Sequence, residues 1–430
     1  MIEKLYTTFL NSTGVCTDTR KLQPGNLFFA LKGPSFDGNK FVSTALENGA
    51  IACVADSDEI SDNSRVFRVK DALQTLQELA TFHRLQHKIP VLALTGSNGK
   101  TTTKELISAV LNKKYNTLFT QGNLNNHIGV PLTLLRLNPT HEFAVIEMGA
   151  NHQNEIAALC QIAMPDMGMI TNIGKAHLEG FGGIEGVIKG KTEMYDYLKS
   201  HNGIIFCRYE NDILKGKCDG YKNLIYYGTA AAKHVYGEMI NSQPFLRIKW
   251  YKDGQFQNEI QTHLTGEYNL ENLIAAICIG SHFGVEPALI KDAIENYSPD
   301  NQRSQIINKG SNTIILDAYN ANPTSMEAAL NNFEENYEGK KALILGEMLE
   351  LGEDSAKEHQ RIIDIISHID KDLLILVGKN FLNTTLQETA LRFVTSDDAK
   401  DYLSKHPLKN TSILVKGSRG SKMEKVLDSL

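Results

Sequence analysis

The sequence predicts an α/β protein of three domains, built around a central P-loop-type, mostly parallel sheet with helices. Three observations carry that expectation. From Ile89 onward, short apolar runs alternate with amphipathic stretches, the pattern of βαβ units. Within this block the apolar run 90–95 enters a glycine-bearing segment and then a helical stretch. A second alternating series follows the polar, proline-bearing segment 296–301. At 430 residues the chain exceeds one ordinary domain, since domains run to roughly 100–200 residues.

The expected domains are 1–86, 87–299 and 300–430. In the first, a small α/β unit, the run 27–31 ends at Lys32-Gly33-Pro34 and a helical stretch covers 72–83. In the second, strands are expected at 90–95, 143–147, 167–171 and 203–207, with helices at 101–113 and 269–282. In the third, strands at 313–316, 342–345, 373–377 and 412–415 alternate with helical stretches at 326–336, 356–369 and 423–430, a Rossmann-like order. No GxGxxG follows its first strand, so a dinucleotide is not the expected ligand.

A net charge of −6 gives no overall attraction to nucleic acid or anionic lipid, so any phosphate site must be local. The six cysteines form no CxxC pair and read as reduced, mostly buried thiols. No run of about 18 apolar residues occurs, and no basic start precedes an apolar stretch. A cytoplasmic protein without a transmembrane segment is expected.

The segment Gly96, Ser97, Asn98, Gly99, Lys100, Thr101, Thr102 lies between an expected strand and helix. There, backbone N–H groups and the positive helix end face an anion, which suits the phosphates of ATP. Lys100 would reach the β/γ oxygens and the Thr101 hydroxyl would ligate Mg²⁺. Leu94 occupies the position of the first glycine in the usual eight-residue P-loop, so an ordinary glycine-rich turn is the plainer alternative.

Glu147 ends the run 143–147, where a carboxylate faces the crevice of a doubly wound sheet and can hold Mg²⁺. It is equally readable as a carboxylate stabilised at a helix N-terminus. By default His177 is a capping or core residue, and Lys189 and Lys191 are solvated charges.

Together the segments TGSNGKTTTKE from Thr95, EMGANHQNEI from Glu147, AHLEGFGGIEGVIKGKTE from Ala176, GEYNLENLIAA from Gly266, DAYNANPTSM from Asp317 and VKGSRGSKME from Val415 resemble the Mur ligase family. These are ATP-dependent, amide-forming enzymes of peptidoglycan precursor synthesis. The segment TDTRKLQPGNLFFALKG is most similar to the members that add D-alanyl-D-alanine to UDP-N-acetylmuramoyl tripeptide.

The resemblance implies an N-terminal domain for the UDP end of the substrate, a central ATPase and a C-terminal lid. It implies a magnesium site of Thr101, Glu147 and His177. Lys191 aligns with a lysine that several members carbamylate, creating an anion for a second Mg²⁺, although Lys189 is an alternative register. Asn269 and Asn272 match the purine-contacting segment, and Arg303 and Asp317 match residues reaching phosphate and ribose. Tyr319 stands where other members carry lysine. Asn320, Asn322 and Ser325 are candidate dipeptide contacts or turn formers. Thr19, Arg20, Lys32 and Asp37 are the candidate nucleotide-sugar contacts. Asn123, Asn125 and Asn126 either meet substrate or form a polar surface loop.

The implied chemistry activates a carboxylate as its acyl phosphate before an amine attacks, in a protein expected to be monomeric. The alternatives are another ligase of the superfamily, such as a folylpolyglutamate synthetase, and a transport or motor ATPase.

Overall fold

The computed structural model describes residues 1–60, 62–231, 234–299, 303–387 and 389–430. The expected boundary segment 296–301 lies partly outside these, at Asp300 and Asn301. Three main sheets organise the chain. The first has four parallel strands in the order Val15–Cys16, Leu27–Phe29, Ala52–Ala55, Val66–Arg68, and a two-stranded hairpin, Lys32–Gly33 with Phe36–Asp37, stands apart from it. The helix Ala72–Gln86 closes this unit, its start capped by Asp71, which accepts from the Gln74 N–H.

Among the described residues the central sheet has nine strands. Its parallel part runs Thr117–Phe119, Phe143–Glu147, Val91–Thr95, Met167–Ile170, Ile204–Arg208, Leu224–Gly228, Val235–Asn241. Strand Val91–Thr95 lies between Phe143–Glu147 and Met167–Ile170, and the chain order reverses there. Such a switch point opens a crevice at the carboxyl ends of the strands. The helices Lys100–Leu111 and Asn269–His282 bury one face of the sheet, and Glu155–Ala163 and Ile184–Ser200 the other.

The antiparallel extension Arg247–Lys252 and Gln255–Gln261 is absent from the sequence expectations. A signal for it exists: Asp253-Gly254, both at positive φ (49° and 79°), form the two-residue turn that right-twisted hairpins favour.

The third sheet, Gln305–Lys309, Asn312–Asp317, Thr411–Lys416, Lys340–Gly346, Leu373–Val377, Leu391–Phe393, is parallel except for its first strand. The expected helical stretch 423–430 is a 3₁₀ helix, Met423–Ser429, pinned where Met423 and Val426 bury into the domain core. All six cysteines are buried and unpaired. Among the described residues no helix is long and apolar enough to cross a membrane.

Candidate active site

The switch point gathers three strand ends: Thr95 leading into the glycine-rich loop, Glu147, and Ile170 leading into Thr171-Asn172. Gly96 and Gly99 both have positive φ, 146° and 76°. A Cβ on Gly96 would stand 1.9 Å from the Thr171 hydroxyl oxygen, and one on Gly99 2.6 Å from Asn272 Oδ1. Glycine is therefore required twice over.

Hydrogen bonds to the neighbouring strand end fix the loop. The Ser97 N–H donates to the Asn172 carbonyl at 3.0 Å, and the Asn98 N–H to Asn172 Oδ1 at 2.9 Å. The Thr171 hydroxyl donates to the Asn98 carbonyl at 2.6 Å, and the Ser97 hydroxyl to the Gly174 carbonyl at 3.0 Å. With the Ser97 and Asn98 amides engaged this way, the groups left to the crevice are the first amides of the helix Lys100–Leu111, which has no side-chain cap.

Lys100 folds over the loop, donating to the carbonyls of Gly96 (2.7 Å) and Ser97 (3.2 Å). Desolvation brings its ammonium down to about 8, with Glu147 opposing the shift and Arg303 adding to it. This is a cation held at the loop by geometry and short of an anion.

The Thr101 hydroxyl donates to Glu147 Oε1 at 3.3 Å, and the Asn125 amide donates to the same oxygen at 2.8 Å. Glu147 is 1% exposed and its Oε2 has no partner. A buried, half-satisfied carboxylate beside a hydroxyl fits a hard divalent cation, which takes oxygen ligands. Among the described residues no group of three or more His, Cys, Asp or Glu could hold a metal. A magnesium ion that completes its shell with phosphate and water needs none.

At one end of the crevice Asn272 accepts from the Thr103 hydroxyl (2.9 Å) and donates to Asn269 Oδ1 (2.8 Å). Asn269 in turn donates to the Thr265 carbonyl (2.8 Å), and the N-cap position is taken by Tyr268. The C-terminal domain supplies the facing wall. Arg303 stacks on Tyr319, 3.8 Å from the ring centre, with Arg419 at 5.4 Å from the same ring. Asp317 pairs with the buried Lys416, its neighbour in register on the adjoining strand. Together these walls enclose a cleft of about 1300 Å³.

Family models match in order along the chain: "Mur ligase family, catalytic domain" at residues 11–84, "Mur ligase middle domain" at 94–280, and "Mur ligase, glutamate ligase domain" at 302–419. The chain is 36% identical to the UDP-N-acetylmuramoyl-tripeptide–D-alanyl-D-alanine ligase of Bacillus subtilis, across 97% of this chain and 93% of that protein. The chain belongs to the Mur ligase family. It is 35% identical to the Escherichia coli protein of the same name, again across 97% and 93%. The crystal structure of MurF from Acinetobacter baumannii superposes with a TM-score of 0.89 at 30% identity, covering 100% of this chain and 98% of that one. MurF ligase from Thermotoga maritima in complex with ADP gives 0.87 at 26%, covering 98% and 97%.

This Mur ligase does not assemble every expected site residue in one place. Thr101 and Glu147 touch, but the His177 ring contacts Glu350 of the C-terminal domain. Lys191 is no solvated charge: it is 1% exposed, donates to the Ala150 carbonyl at 3.1 Å and lies 5.0 Å from the Phe181 ring centre. Burial holds its amine well below the usual lysine range, and Lys100 adds to that effect.

Asn125 and Asn126 both line the cleft; the Asn125 amide also supports Glu147, and Asn126 Oδ1 accepts from the Gly129 N–H at 2.9 Å just ahead of the helix Gly129–Leu134. Asn123 is exposed on the cleft. Asn322 and Ser325 form a capping box, so the turn-forming reading holds for both, while the Asn322 amide also donates to Asn98 Oδ1 at 2.7 Å. Asn320 lines the cleft and bonds the following amide.

Thr19, Arg20, Lys32 and Asp37 do not line the cleft. Arg20 is paired with Asp18, Lys32 with Asp56 (2.9 Å), and Asp37 caps the 3₁₀ helix Gly38–Phe41. The cleft-lining residues Glu155, Arg208, Tyr268, Glu350 and Arg419 escaped sequence reasoning. Arg419 lay inside a quoted motif, whereas Glu350 has meaning only once two domains meet.

Proposed function

We propose that this ligase joins D-alanyl-D-alanine to UDP-N-acetylmuramoyl tripeptide with conversion of ATP to ADP and phosphate. The observation that carries the reading is one cleft holding the phosphate loop, the half-satisfied Glu147 and an arginine-bearing wall from the C-terminal domain. The names of the full-length relatives support the choice of substrates.

In this reading domains 1–86, 87–299 and 300–430 hold the nucleotide sugar, ATP and the dipeptide side respectively. The first amides of the helix Lys100–Leu111 and the Lys100 ammonium hold the ATP phosphates, and Arg303 adds charge from the opposite wall. Thr101 and Glu147 would hold magnesium, which supplies charge neutralisation on the transferring phosphoryl group. The terminal carboxylate of the tripeptide attacks the γ-phosphorus, the bond to the bridging oxygen breaks, and ADP leaves. The dipeptide amine then attacks the carbonyl carbon, a C–N bond forms, the C–O bond to phosphate breaks, and the amine loses a proton.

The carbamate reading of Lys191 rests on its buried amine, since only a neutral amine adds carbon dioxide. His177 as a magnesium ligand requires its ring to leave Glu350. Six unpaired cysteines support a cytoplasmic location, and a cleft complete in one chain supports a monomer.

Phosphate release is measured with ATP, nucleotide tripeptide and dipeptide, each omitted in turn. Release that needs all three is expected. Equal release without the dipeptide would refute the ligase assignment.

A further inference from the structure

Among the described residues seven cationic or imidazole side chains line the cleft: Lys100, His127, His177, Arg208, Arg303, Lys416 and Arg419. His127 belongs to the central-domain side, where its carbonyl accepts from the Gln77 amide, and five others have an assigned partner or direction. Lys100 serves the phosphate loop, Arg208 pairs with Glu271 and Glu210, Lys416 with Asp317, and His177 with Glu350. Arg303 stacks on Tyr319, and its charge acts on Lys100, so it faces the phosphates.

Arg419 differs. It is exposed, its guanidinium makes no hydrogen bond or ion pair among the described residues, it stands near the Tyr319 ring and, unlike Arg303, it is not among the charges that act on Lys100. Its base is nonetheless fixed. The neighbouring Ser418 is 3% exposed, donates from its hydroxyl to the Ala321 carbonyl at 3.2 Å and accepts from the Leu349 N–H at 3.0 Å.

We propose that Arg419 binds the terminal carboxylate of the incoming dipeptide, using the face of the cleft beyond Tyr319, and so decides which end of that substrate meets the activated carbonyl. The inference rests on the ligase reading above. The dipeptide carries an amine that must attack and a carboxylate that must not. A carboxylate drawn to Lys100 would compete with phosphate and reverse the substrate. A second guanidinium near the same aromatic ring, exposed and without a protein carboxylate to satisfy it, draws that carboxylate to the C-terminal wall. Arginine suits the task because its planar fork matches a carboxylate with two parallel hydrogen bonds.

The test compares D-alanyl-D-alanine with its C-terminal carboxamide in wild-type protein, Arg419→Gln and Arg419→Lys. Wild type should favour the free acid by roughly 10- to 100-fold in kcat/KM, the range for one charged hydrogen-bonding partner. Arg419→Gln should lose that preference, with the dipeptide KM raised by the same factor and the KM for ATP and nucleotide tripeptide within about twofold. Arg419→Lys should retain part of it. An Arg419→Gln protein that prefers the acid as strongly as wild type overturns the assignment, as does an ATP KM that rises in step. If wild type joins neither compound, the ligase reading itself falls, and Arg419 with it.

Discussion

The two walls of the cleft are built differently. On the phosphate-loop wall the polar groups are held by neighbours, with Glu147 Oε2 left open: Ser97 and Asn98 by the strand end at Asn172, Glu147 Oε1 by Thr101 and Asn125, and Asn272 by Thr103. On the C-terminal wall, Arg303 and Arg419 lean on Tyr319 and are spread along the cleft. A site that must stabilise a transferring phosphoryl group gains from donors fixed in advance. One that must admit a second substrate gains from cations still available to it. Replacing Lys100 by Met should therefore have the largest effect of any single change, lowering kcat/KM by roughly 10³-fold with the thermal midpoint preserved. A loss below tenfold would mean that the first helix amides alone carry the phosphates.

Asn125 separates support from contact on the same wall. Its amide holds the Glu147 oxygen that also accepts from Thr101, and the carbonyl of Asn125 accepts from the Gly149 N–H at 2.7 Å. A residue that orients a metal ligand typically changes metal affinity by roughly 10- to 100-fold when removed. In Asn125→Ala the magnesium concentration for half-maximal rate should rise in that range, while the dipeptide KM at saturating magnesium stays put. A shift in the dipeptide KM alone would return Asn125 to a substrate role.

Much of the first wall was legible in the sequence and little of the second. The strand at Phe143–Glu147 and the helix at Asn269–His282 match the sequence expectations residue for residue, because apolar runs and helical periodicity are local signals. The glycine-rich loop was legible for the same reason. The burial of Lys191 was not: it lies two residues from Lys189 on one helix, and only its tertiary environment, the Ala150 carbonyl and the Phe181 ring, distinguishes it. The pairing of His177 with Glu350 was equally hidden, since it spans 173 residues and two domains. Asn322 and Ser325 read equally as dipeptide contacts or turn formers and do cap a helix, yet the bond from Asn322 to Asn98 appears only when the walls meet.

The charge on Lys100 offers a gentler way to probe the fixed wall. Its ammonium titrates near 8 in the free protein, against an ordinary 10.5. Phosphate binds the protonated form, so ATP binding raises this value. The ATP dissociation constant should be flat below about pH 8 and weaken by up to about tenfold per unit above it. Calorimetry between pH 7 and 9.5 measures this, and net proton uptake on binding should accompany it near pH 8.5. A constant flat across the whole range would place the lysine cation at its ordinary strength.

The smallest expected effect concerns how the two walls are joined. The segment after Asn172 touches both: Ser97 bonds Gly174 on one side, while the Lys175 N–H donates to the Thr324 hydroxyl at 3.2 Å on the other. The Lys175 side chain pairs with Glu358, which is 2% exposed and also lies 3.5 Å from Arg361. Removing Lys175 therefore leaves the carboxylate one partner and loosens the C-terminal wall without touching the loop. Lys175→Ala should lower kcat by up to roughly fivefold, the scale of a partly exposed ion pair, and leave the ATP KM unchanged. Scattering curves of this variant with ATP analogue and tripeptide should show a more extended average shape than wild type. If kcat falls and the shape does not change, Lys175 acts within the cleft rather than through closure. The contrast between a fixed wall and a delivered one would then have to be redrawn around the Asn322 to Asn98 bond alone.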